Sequence, residues 1–98
     1  MSDFTTEVYK IVKSIPKGRV MTYKQVASLA GNKKAMRAVG NALNKNKDFK
    51  NVPCHRVVRS DGKIGGYVFG STKKSQILAL EGVVTIKDKV DLKQYQAV

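Results

Sequence analysis

The chain has 98 residues and a mass of 10.8 kDa, which suits one domain around one core and argues against two. Apolar residues make up 42% of it, and no apolar run approaches the roughly 18 residues that span a bilayer, so neither a membrane protein nor an unfolded chain is expected. One cysteine cannot form an internal disulfide, which excludes the secreted disulfide scaffolds and points to a reducing, cytoplasmic setting.

Nineteen basic residues face seven acidic ones, a net charge of +12, and residues 33–63 hold nine of the former and two of the latter. A polyanion is drawn to that middle third, and nucleic acid is the commonest polyanion partner. Most of the excess is lysine, suited to point-charge contact with phosphates more than to bidentate reading of bases.

In chain order, Phe4, Val8, Ile11, Val12 and Ile15 form the stripe of an amphipathic helix, ended by Pro16-Lys17-Gly18. Thr22-Tyr23-Lys24-Gln25 has the capping-box form, so a second helix is expected from Tyr23, with Val26, Ala27, Leu29 and Ala30 on its buried side and Gly31 closing it. From about Lys34 a third helix is expected on Met36, Val39, Ala42 and Leu43. The tight connection gives the pair, over residues 22–44, the form of a helix-turn-helix. Arg37, Asn41 and Asn44 share one polar face beside small Ala38 and Gly40, as a groove-entering helix requires, although a solvated basic face has the same pattern.

Pro53-Cys54-His55-Arg56 follows a polar loop, and Val57-Val58 read as a strand that returns through Ile64 as a hairpin, the wing. Ser71 or Thr72 is expected to cap a last helix with Ile77, Leu78 and Leu80 facing the core. Val83 to Ile86 read as extended, and about 85–98 as a mixed-charge tail. The fold class is α+β, a small winged helix-turn-helix-like domain over residues 1–98, mostly helical with a short β-hairpin wing. A lone cysteine is usually an inert buried hydrophobe, and neighbours on a regular strand point to opposite faces. For Cys54 and His55 to work together, either the backbone at 52–59 has to be irregular, for which Pro53 gives a reason, or a water has to bridge them. A nucleophilic Cys54 needs a base or nearby positive charge, which His55 and Arg56 can supply. One Cys and one His fall short of a zinc site, so no metal and no cofactor are expected.

Pro53-Cys54-His55-Arg56-Val57, Gly65-Gly66-Tyr67 and Leu78-Ala79-Leu80-Glu81-Gly82 resemble the active-site half of the O6-alkylguanine-DNA alkyltransferases, the methylated-DNA–protein-cysteine methyltransferases. Thr22 to Ala27, Ala30-Gly31-Asn32 and Arg37-Ala38-Val39-Gly40 resemble that family's helix-turn-helix. The resemblance implies that Cys54 is the alkyl acceptor and that His55 and Glu81, with a water, take the thiol proton. It makes Tyr23 the residue that helps turn the nucleotide out of the duplex and donates to the base. Arg37 becomes the finger that fills the stack, and Asn46 ties the recognition helix to the active-site loop. Tyr67, Val68 and Phe69 become pocket wall, with the Cys54 and Val57 carbonyls accepting from the guanine amine. Thr22, Lys33, Lys34 and Asn41 join Tyr23 and Arg37 on the DNA side. The implied partner is duplex DNA containing O6-alkylguanine, bound by a monomer without membrane association. The implied reaction is irreversible transfer of the alkyl group to Cys54. The alternative is a non-catalytic alkyltransferase-like lesion sensor, a class that usually lacks the cysteine. In two respects the chain departs from the family pattern: it starts almost at the first helix, where most members carry a further N-terminal domain, and it reads Tyr67-Val68-Phe69-Gly70 where a small residue and Gly more often follow the Tyr.

Overall fold

The computed structural model describes residues 4–67 and 69–97. Helix α1 (Phe4–Lys13) carries Glu7 in its first turn and Lys10 and Lys13 in its last, the signs that the helix dipole favours. Val8 and Val12 are fully buried, and Ile15 follows them into the core from the turn that ends the helix. Strand β1 (Met21–Thr22) leads directly into α2 (Tyr23–Leu29), whose capping box forms as the sequence predicts: Gln25 N–H donates to Thr22 Oγ1 at 3.0 Å, and Thr22 N–H to Gln25 Oε1 at 3.4 Å. Gly31 takes φ +96°, and Asn32 Oδ1 accepts from Lys34 N–H, so the turn occupies residues 31–35 and α3 (Met36–Asn44) starts two residues later than expected.

The three helices pack on one another around Val8, Val12, Ile15, Val26, Ala27, Val39, Ala42 and Leu43. The expected stripes narrow at their ends. Leu29, the last residue of α2, is exposed because Val26 and Ala27 fill that helix's inner face, and Met36, the first residue of α3, is exposed at the turn.

The strand after the Cys54–Arg56 turn corrects the sequence reading. Strand β2 (Val57–Val58) does not pair with Ile64; it lies parallel to β1, Met21 opposite Val57 and Thr22 opposite Val58. Parallel strands need a long crossover, and α2 and α3 provide it. Alternation then splits the pair: Val57 joins the helical core, whereas Val58 joins a second core with Val20, Ile64, Leu78, Val83 and Val90. The two-stranded pair is thus the wall between two apolar clusters.

The antiparallel hairpin lies further on, where a tail was expected. Strands β3 (Thr85–Ile86) and β4 (Lys89–Val90) are joined by Lys87 and Asp88, both with positive φ (52° and 62°) as a two-residue hairpin turn demands. Lys63 bridges to Lys89, and Ile64 N–H donates to the Asp88 carbonyl. A short α5 (Leu92–Tyr95) returns the chain to Val20, whose N–H donates to Tyr95 O at 2.9 Å. Helix α4 (Ser71–Leu80) has Gly70 at its N-cap, at φ +93°, and neither Ser71 nor Thr72 caps it. Leu78 is buried, but Leu80 is 84% exposed, contrary to expectation, because the inward face of α4 is taken by Lys74 and Leu78, one turn apart. No helix among the described residues is long and apolar enough to cross a membrane.

Candidate active site

Pro53 has φ −79° and ψ 73°, close to an inverse γ-turn, and Cys54 N–H donates to Val52 O at 2.8 Å across it. The chain then makes a 3₁₀ turn over Cys54–Arg56 before straightening into β2. This is the irregular backbone that a working Cys54–His55 pair requires, since both side chains come from a turn and not from opposite faces of a strand. Asn46, buried just beyond α3, holds the segment by donating from Nδ2 to Val52 O at 2.9 Å and accepting Asp48 N–H at 2.9 Å.

His55 and Arg56 converge on Glu81, the residue that ends α4. His55 Nε2 lies 2.9 Å from Glu81 Oε1; Arg56 donates from Nε to Oε1 at 2.9 Å and from Nη2 to Oε2 at 2.6 Å. Its Nη1 donates to Ile15 O at 2.8 Å, fixing the network to the end of α1. Burial by itself would raise the Glu81 carboxyl, but hydrogen bonds and charge from Arg56 and His55 outweigh it and hold the group below its ordinary range. An ionised Glu81 accepts a hydrogen bond from the Nε2–H of a neutral His55, leaving Nδ1 as the basic edge. Burial lowers the His55 pKa against the pull of Glu81, which favours that neutral form.

The thiol is buried, and burial pushes it above its ordinary value; the Asn46 side chain and the charge of Lys74 oppose the rise. Lys74 has no counterpart in the expected site. It is fully buried, its Nζ donating to Val57 O at 2.6 Å and to Gly66 O at 3.1 Å, 5.8 Å from the Tyr23 ring centre. Burial brings its pKa down to about 8. It joins the active-site turn to the glycine-rich loop and already occupies one lone pair of the Val57 carbonyl expected to receive a guanine amine. The sequence held a signal: Lys74, Leu78 and Glu81 lie at offsets 0, 4 and 7, one face of α4 with charges at both ends.

A cavity of about 20 Å³ lies between Tyr23, Leu43, Asn44, Cys54, Gly66 and Tyr67, room for about one water. Tyr23, at the start of α2, therefore stands over the thiol, as does Tyr67. Phe69 does not line the cavity; its ring packs on Tyr67 (5.5 Å between centres) and on Phe49 (5.0 Å), and is 58% exposed. Phe49, unassigned from the sequence, meets Tyr67 edge-on at 6.4 Å. Val68 lies outside the described residues. Arg37, Asn41, Lys33 and Lys34 are exposed on α3 and the turn before it, whereas Thr22 is buried with its hydroxyl committed to the α2 cap.

The model of the 6-O-methylguanine DNA methyltransferase DNA-binding domain matches residues 3–83. The methylated-DNA–protein-cysteine methyltransferase of Rattus norvegicus is 49% identical over 84 residues, 84% of this chain and 40% of that protein, so the chain spans less than half of that relative's length. Among solved structures, S. pombe Atl1 in complex with damaged DNA containing O6-carboxymethylguanine superposes with a TM-score of 0.89 at 32% identity, covering all of this chain and 97% of that one. Mycobacterium tuberculosis OGT in complex with DNA gives 0.79 at 39% identity, covering 84% and 50%. With the match running through both the helix-turn-helix and the Cys54 turn, the chain belongs to the 6-O-methylguanine DNA methyltransferase family through its DNA-binding domain.

Proposed function

We propose that this protein binds duplex DNA, takes an O6-alkylguanine out of the stack and transfers the alkyl group to Cys54. The observation that carries the reading is that Cys54 and Tyr23 line one small cavity, while His55, next to Cys54 in the same 3₁₀ turn, is held by ionised Glu81. A raised thiol pKa leaves little thiolate at neutral pH, so the reaction needs a base. His55 Nδ1 takes the proton, directly or through one water, and the Cys54 sulfur attacks the alkyl carbon. The new S–C bond forms as the C–O6 bond breaks. The electron pair passes into the purine, and one proton returns to its ring, so that unmodified guanine, still joined to its strand, and an alkylated cysteine result. Tyr23, whose hydroxyl stays protonated because burial raises its pKa, donates toward the base as charge develops. Exposed Arg37 occupies the space the base leaves, offsetting part of the few kcal/mol that unstacking costs.

A second reading, a lesion sensor that binds without transfer, has one observation in its favour, the match with Atl1 over the whole of this chain. Incubating wild type and Cys54→Ala with a duplex bearing an O6-[³H-methyl]guanine separates the two. Label should move to wild-type protein alone while both proteins bind the duplex; label on Cys54→Ala, or on neither protein, rejects the transfer assignment.

A further inference from the structure

Tyr23 is a wall of two cavities. Beyond the pocket over Cys54 lies a groove of about 340 Å³ lined by Tyr23, Met36, Arg37, Gly40, Arg59 and Ser60. It runs between α3 and the turn that follows β2, so Arg37 and Arg59 stand on its two sides. Gly40 leaves its α3 side open, since a Cβ there would meet nothing within 4 Å. The Arg59 backbone is fixed: its N–H donates to Lys63 O at 2.8 Å and its carbonyl accepts Gly62 N–H at 2.9 Å. Its guanidinium is not fixed in the same way. The side chain is 57% exposed and reaches Asp61 Oδ2 at 3.4 Å, longer than the roughly 2.7–2.9 Å of a good charged hydrogen bond. Asp61 is itself anchored, its Oδ1 accepting Lys63 N–H at 3.0 Å. Arg59 also borders a second groove, with Lys63 and Lys87 on its walls.

A base that passes Tyr23 to reach Cys54 leaves its sugar and phosphate on the other side of Tyr23, in the first groove. An arginine there offers a planar fork of N–H donors that fits a phosphodiester. We infer that Arg59 binds the phosphate of the extruded nucleotide opposite Arg37, with Asp61 loosely holding the guanidinium over the groove until the phosphate displaces it. The inference rests on the DNA-repair reading and adds to it a contact specific to the flipped state.

The test is a fluorescence-anisotropy titration of the full chain with two duplexes, one carrying a single O6-methylguanine and one undamaged, over a range of salt concentrations. Arg59→Ala should bind the lesion duplex about tenfold more weakly and the undamaged duplex about twofold, and its lesion-binding salt slope should fall by about one. Arg59→Lys should keep the slope while losing part of the affinity, and Asp61→Asn should tighten lesion binding. Equal losses on both duplexes, or no loss, overturn the contact with the extruded nucleotide. A wild type whose binding is flat in salt overturns the DNA reading together with it, whereas a steep wild-type slope matched by Arg59→Ala overturns the Arg59 contact alone.

Discussion

The two sides of Tyr23 keep their charges in opposite ways. Toward Cys54 the charges are buried or partly buried, and tied: Glu81 holds His55 and Arg56, and fully buried Lys74 holds two carbonyls. Toward α3 they are exposed: Arg37 stands in solvent, and Arg59 has one long contact with an exposed carboxylate. Desolvated pairs are costly to break and little screened, whereas exposed cations contribute little to folding and respond strongly to salt. The buried side is thus suited to moving a proton and the exposed side to gripping phosphates.

The largest effect is expected at Glu81. Glu81→Ala leaves a partly buried guanidinium without its carboxylate and should cost about 2–4 kcal/mol of stability, read by chemical denaturation. Its folded pKa is depressed, so the stability it contributes is fully present above the unfolded value of about 4.3 and is lost as pH falls through the lower folded value. Wild type should therefore show an acid loss in that window that Glu81→Gln lacks; matching acid profiles would place Glu81 outside the network.

Lys74 gives the opposite slope. Its folded pKa of about 8 lies below the ordinary 10.5, so burying the charge is penalised fully below pH 8 and the penalty is relieved as pH rises toward the unfolded value. Relative to Lys74→Met, wild type should gain roughly 3 kcal/mol between about pH 8 and 10.5. A parallel pH dependence in the two proteins would mean that Lys74 is neutral or solvated throughout.

On the exposed side, Arg37→Ala should leave the melting midpoint unchanged and slow alkylation from a duplex about tenfold to a hundredfold, with far less effect on reaction with free O6-benzylguanine, which has no stack to open. Equal losses on both substrates would move Arg37 from the stack into the pocket. Smallest is Phe69→Gly: losing two ring contacts should cost about 1–2 kcal/mol, and any rise in the benzyl-to-methyl rate ratio would have to act through Tyr67. A raised ratio at unchanged stability would place the ring in the pocket itself.

What the sequence discloses follows the same division. The α2 cap was legible in Thr22 and Gln25 because it is local, and the apolar periods of α1 and α3 marked the helical core because three helices share it. The partner of β2 was not legible: Val57-Val58 look alike whether they pair with Ile64 or with Met21-Thr22, and only the tertiary crossover selects the parallel pair. Leu80 and Lys74 exchange the places their chemistry suggests, since what decides is which face of α4 meets β2 and the glycine loop, where two backbone carbonyls are satisfied by the ammonium. Cys54 and His55 stood out as a lone thiol beside a lone imidazole after Pro53, whereas Glu81 and the roles of all three came through family resemblance; the Arg56 clamp on Glu81 joins residues too far apart in sequence for local patterns to connect.

The most direct measurement is intact-mass analysis, followed by peptide mapping, after incubation with a duplex containing one O6-methylguanine. Transfer to Cys54 should add one CH₂ per protein, confined to the peptide that contains Cys54, with stoichiometric loss of methyl from the DNA. An unmodified protein that nevertheless binds the lesion duplex tightly, or a methyl group found on any other residue, would contradict it.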